Sequence, residues 1–161
     1  MPNITDDLGQ CGGIVEVEVI RDGKNGPEVI NRVVSHNTVV NAGKKQTWRQ
    51  ATGLNTNDWD QMRIGTSGAA VTSAQTNVLG VLTGCLNTVD SKSLLSGTRT
   101  LQLVISYPSG GGTKSASNIK EVVVLNQNTS PGGSCFMRAT FTTVAKTTAD
   151  KLKIVYSVRI T

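Results

Sequence analysis

The residues equipped for chemistry are few in this chain, and they are widely spread. Cys11, Cys85, Cys135 and the single histidine, His36, are the only soft metal donors. A structural zinc site wants four such donors converging in a tetrahedron, usually announced by closely spaced pairs. None of these residues is paired in that way, so no metal site is expected. The odd cysteine count argues against a disulfide framework and for a reducing compartment. Cys135, in an apolar run, reads as a small buried hydrophobe. Ser35 beside His36 supplies two thirds of a nucleophilic triad, but no serine sits in a nucleophile-elbow sequence. His36 therefore reads as a hydrogen-bonded structural residue.

Three further patterns resemble sites and fall short. Gly110-Gly111-Gly112-Thr113-Lys114-Ser115 has the glycines of a phosphate loop. That motif requires Gly directly before Lys, so that backbone N–H groups and the ammonium enclose the phosphates. Thr113 intervenes, and the stretch reads as a strand connection. The acidic pairs Asp6-Asp7 and Asp58/Asp60 lack the spaced oxygens of a calcium loop and read as solvated. Trp59, between those two aspartates, has two readings: an exposed interface anchor, or a cap over one edge of the fold. With six aromatic residues in all, the chain has little material for a sugar platform or a base-stacking surface. The net charge of +5 would suit a polyanion, but the basic residues are scattered. Lys44, Lys45 and Arg49 make the only tight knot, so no specific nucleic-acid partner is expected. No cofactor and no catalytic residue emerges.

The elements that would carry these residues are strands. Val15, Val17 and Val19 alternate with Glu16 and Glu18, the period of a half-buried strand. Asp22-Gly23-Lys24-Asn25-Gly26-Pro27 is turn chemistry, and the β-rich run Val29 to His36 pairs back as a hairpin. Residues 41 to 53 form the one helix expected, capped by Asn41, ended by Gly53 and packed through Trp48. A short strand covers 60 to 65. One strand near 78 to 86 precedes a loop at 90 to 97. Leu101, Leu103, Ile105 and Tyr107 share a strand face. Ile119 to Leu125 is almost continuously apolar, the pattern of a central strand. Met137, Ala139 and Phe141 lie on one side of the next strand, with Arg138, Thr140 and Thr142 on the other. Leu152, Ile154, Tyr156, Val158 and Ile160 alternate to the C-terminus.

About eight short strands with one short helix specify an all-β fold, a jelly-roll-like β-sandwich over residues 14–161. Residues 1–13 read as an extended N-terminal arm without a large apolar cluster. They also lack the basic-then-apolar pattern of a secretion signal, and no apolar run is long enough to span a membrane.

From about Val34 onward the order of features resembles small virion proteins of tailed bacteriophages. The residues that carry it are His36-Asn37-Thr38-Val39-Val40-Asn41-Ala42-Gly43, Met62-Arg63-Ile64-Gly65-Thr66, Ile119 to Leu125, Phe136-Met137-Arg138-Ala139-Thr140-Phe141, and Asp150-Lys151-Leu152-Lys153-Ile154-Val155-Tyr156-Ser157-Val158. Among such proteins the chain is most similar to capsid cement (decoration) proteins. The resemblance implies a homotrimer bound to the major capsid protein on the virion surface, assembled in the host cytoplasm, with no catalytic residues to carry over. Pro2, Asn3, Ile4 and Leu8 of the arm, with Trp59, are the expected interface residues. A tail, neck or fibre-associated protein on the same module is the alternative, followed by a carbohydrate- or receptor-binding module. Residues 1–33 carry no part of the resemblance.

Overall fold

The computed structural model of the chain describes residues 12–45, 59–95, 97, 100–109, 116–126 and 135–159. Nine strands occur among them: β1 (Gly12–Gly23), β2 (Gly26–Val39), β3 (Gln61–Gly65), β4 (Val81–Thr88), β5 (Ser91–Leu95), β6 (Thr100–Tyr107), β7 (Ala116–Leu125), β8 (Cys135–Lys146) and β9 (Asp150–Arg159). They form one antiparallel sheet in the order β4-β3-β7-β8-β2-β1-β9-β6-β5, curled into a half-barrel. The all-β, jelly-roll-like sandwich expected from the sequence is the fold observed.

The curl makes two wings, β4-β3-β7-β8 and β2-β1-β9-β6-β5. They are joined by a short seam, where Asn37, Thr38 and Val39 of β2 pair with Ala139, Arg138 and Met137 of β8. Where that ladder stops, the Ser35 hydroxyl donates to the Thr140 carbonyl at 2.6 Å. This is the role of the serine beside His36. The core lies between the wings. Val15, Val17 and Val19 of β1 meet Leu103, Ile105, Leu152, Ile154 and Tyr156 on one wing and Met62, Ile64, Val122, Val124, Met137 and Ala139 on the other. The period-two pattern of β9 is realised at Leu152, Ile154, Tyr156 and Val158, all buried. Each large apolar side chain removed from water contributes roughly 1.5–3 kcal/mol, most of it offset by the entropy of ordering the chain.

Two phenols cross the dry interior. Tyr156 donates to the Val122 carbonyl at 3.0 Å. Tyr107 lies 3.1 Å from the Met62 carbonyl and 3.2 Å from that of Cys85. Burial raises both phenol pKa values, so the hydroxyls remain donors. At the opposite end, Asp150 closes the turn from β8 to β9. It accepts from the Thr147 amide (2.9 Å) and hydroxyl (2.6 Å) and from Arg21 Nε across β1–β9 at 2.7 Å.

One expectation needs correction. Residues 90 to 97 are not simply a loop: Ser91–Leu95 is an edge strand, paired residue for residue with β6. All five of its residues are exposed, so it lacks the apolar alternation that marks a strand in sequence. The helix expected from Asn41 begins as expected, with 41–45 helical. Its first turn is closed by the Lys44 amide on the Val40 carbonyl at 3.0 Å. The rest of that helix, with Trp48, lies outside the described residues. So does the arm, except that Gly12 and Gly13 belong to β1.

Tyr156→Phe should cost about 1–3 kcal/mol in urea unfolding, because it leaves the Val122 carbonyl buried without its donor. A second test is acid stability. Arg21 first, then the Thr147 groups, hold the Asp150 carboxyl well below the usual carboxylate range. A depressed folded pKa adds stability above the unfolded value, about 4, and that stability is lost as pH falls through the folded value. Asp150→Asn should therefore lower the melting temperature at neutral pH and flatten its fall below about pH 4, as read by thermal melts across pH.

Candidate functional site

The buried polar groups show what this fold uses charge for. Glu121 on β7 and Arg138 on β8 are diagonal neighbours on the sheet face that points away from the main core. Both side chains are fully buried. Arg138 Nε donates to Glu121 Oε2 at 2.8 Å. Arg138 Nη1 donates to the Ala69 carbonyl (3.0 Å) and Gln75 Oε1 (3.1 Å). Glu121 also accepts from the Ser67, Leu79 and Gly80 amides at 3.1, 3.2 and 2.6 Å. The partners outside the pair all belong to residues 66–80, a strap of small residues without regular secondary structure. Arg63, also buried, reaches Asn77 of the strap at 3.4 Å. Gly65 permits the close approach, since a Cβ there would stand 2.5 Å from both Glu121 Oε1 and the Gly80 carbonyl.

Under the strap lies a second apolar cluster of Val40, Val78, Val123, Leu125 and Cys135. Burial pushes the Cys135 thiol up to about 12, so it stays protonated and inert at neutral pH. Cys85 is buried in the main core. Among the described residues no three histidines, cysteines or acids gather as a metal site would require. His36 is exposed on β2. The arm residues Pro2, Asn3, Ile4 and Leu8, together with Cys11, Asp58 and the glycine-rich stretch at 110–115, lie outside the described residues.

Trp59 is corrected. It is 5% exposed, and its ring stacks on Phe136 with centroids 4.4 Å apart. It is a core residue, packed in the main cluster against Phe136 of β8. That removes it as an exposed anchor and as a sugar platform.

What remains for recognition is the surface. On the outer face of β2-β1-β9 the charges neutralise one another. Arg32 meets Glu16 at 2.8 Å, Lys153 meets Glu18 at 3.8 Å, and Lys151 meets Asp22 at 3.1 Å. Beside this ladder, among the described residues, β2 has no second strand partner before Asn37. Every residue of β2 from Gly26 to Arg32 is exposed, including Val29 at 48% and Ile30 at 43%, and Val34 further along reaches 57%. The charge alternation of β1 was legible in the sequence. The exposure of apolar residues on β2 was not, because β-rich composition reads as core. Comparison with protein-family models, curated proteins and solved structures finds no match to this chain.

Arg138→Met should destabilise the protein by about 3–5 kcal/mol in urea unfolding, since it strands a buried carboxylate. Adding Glu121→Gln should recover part of the loss. It removes the uncompensated charge while keeping an acceptor for the strap amides.

Proposed function

We propose that this protein is a non-enzymatic adhesive of a virus particle: a capsid cement (decoration) protein of a tailed bacteriophage. On this reading it binds the major capsid protein as a homo-oligomer, a trimer by resemblance. The observation that supports the reading is the set of exposed apolar side chains on β2: Val29, Ile30 and Val34. Exposed apolar side chains on a strand paired along one edge are the usual raw material of a protein-binding surface.

The hairpin would engage its partner through side chains rather than by adding a strand. Its ladder slips between Val19 and Ile20, leaving Ile30 as the extra residue of a bulge, and Pro27 has no amide to donate. Bulges and edge prolines are the features that blunt strand addition. A partner is thus met by Val29, Ile30 and Val34 laid against an apolar patch. The neutralised ladder beside them keeps the flanking surface soluble.

The double substitution Val29→Asp/Ile30→Asp tests this. Both residues are exposed, so the melting temperature should stay near wild type, in line with surface changes of about ±0.5 kcal/mol. Co-sedimentation with expanded shells of the source phage should weaken by about tenfold or more, the loss expected of interface hot spots. Undiminished loading, or a copy number per particle far below that of the coat protein, would overturn the assignment.

A further inference from the structure

We propose that the depression at the Gly13 end of the outer face binds an acidic, extended peptide segment of a partner protein, with a carboxylate seated on Arg159. This deepens the reading above by naming the chemistry of a second contact, and it rests on that reading. The depression has a volume of about 510 Å³ and is lined by Ile14, His36, Thr100, Ser157 and Arg159, with Gly13 and Asn37 at its base. Strand register sets this grouping. Ile14 stands opposite both His36 and Ser157, and Thr100 stands opposite Arg159. Gly13 lets the strands close tightly beneath the depression, since a Cβ there would run into the Ser157 carbonyl and the Asn37 carboxamide.

Charge selects the ligand. The other basic side chains of β1, β2 and β9 have acidic partners: Arg21 with Asp150, Arg32 with Glu16, Lys151 with Asp22 and Lys153 with Glu18. Arg159 has none among the described residues, the imidazole of His36 makes no hydrogen bond there, and no carboxylate lines the depression. A planar guanidinium without a partner suits a carboxylate. The groove is open, and one exposed ion pair in water contributes little, so a free anion would bind poorly. A macromolecular ligand adds contacts with exposed Ile14 and the hydroxyls of Thr100 and Ser157. Nucleic acid would want several cations in a row to displace counterions, and here Glu16 and Glu18 occupy the continuation of the face. No aromatic ring offers a sugar a stacking surface. An acidic peptide meets all of these conditions.

The test is an amide-shift NMR titration of the full chain with Ac-Leu-Asp-Asp-Leu-amide. We expect saturable shifts confined to residues 13–14, 36–37, 100 and 157–159, with no binding by Ac-Leu-Asn-Asn-Leu-amide. Arg159→Gln, at an exposed position, should weaken the dissociation constant by about tenfold with an unchanged melting temperature. Absent or dispersed shifts, indifference to Arg159→Gln, or equal binding by inorganic phosphate or an oligothymidylate would overturn the proposal. Shell loading separates this from the parent reading. If the peptide fails while shells still load, only the groove falls. If the peptide binds while shells do not load, the cement assignment falls and the groove stands.

Discussion

Glu121 and Arg138 meet where a sheet would ordinarily face water, and the architecture of the β4-β3-β7-β8 wing follows from how their charges are satisfied. A buried carboxylate costs several kcal/mol of lost hydration unless its lone pairs are filled. Here they are filled by one guanidinium and three backbone amides of the strap. The cost of burial is thus met by fastening residues 66–80, which lack regular structure of their own, across the sheet. With the strap in place Val78 closes over Val123, Leu125 and Cys135, and β7 becomes buried on both faces.

The opposite wing needs no such device, because its outer face stays wet. Its inner face carries the alternating valines, leucines and isoleucines, and its outer face carries charges paired across neighbouring strands, Arg159 excepted. The two wings share only a three-residue seam, so packing and the two tyrosine bonds hold them together. This division of labour suits a protein that works by its surface. One wing is covered by the strap, while the other carries an exposed strand and an open groove.

Much of this was legible in the residues. The alternation of β1, β6 and β9 named the inward faces correctly, and the unbroken apolar run of β7 marked an interior strand. The turn chemistry at 22–27 placed the first hairpin. Three features were hidden for physical reasons. β5 is held by backbone pairing to β6, and backbone hydrogen bonds leave no trace in side-chain periodicity. Arg138 was rightly assigned to the face away from the main core, but the presence of a cover over that face depends on a segment about sixty residues away in the chain. Trp59 failed as an exposed residue for a similar reason: its aspartate neighbours describe the local chain, and Phe136, which buries it, comes from another strand.

The sequence by itself determined that this chain is all-β, which strands exist in most cases, and which side of each faces inward, because a period of two is a local property of the backbone. Only the tertiary structure decided which outward faces meet water. That choice depends on segments distant in the chain arriving at the same place, as the strap does over Glu121 and Arg138. It also decided that Val29, Ile30 and Val34, indistinguishable by composition from core residues, would remain exposed. The seam between the wings ends before it reaches them, and nothing else in the described fold covers them.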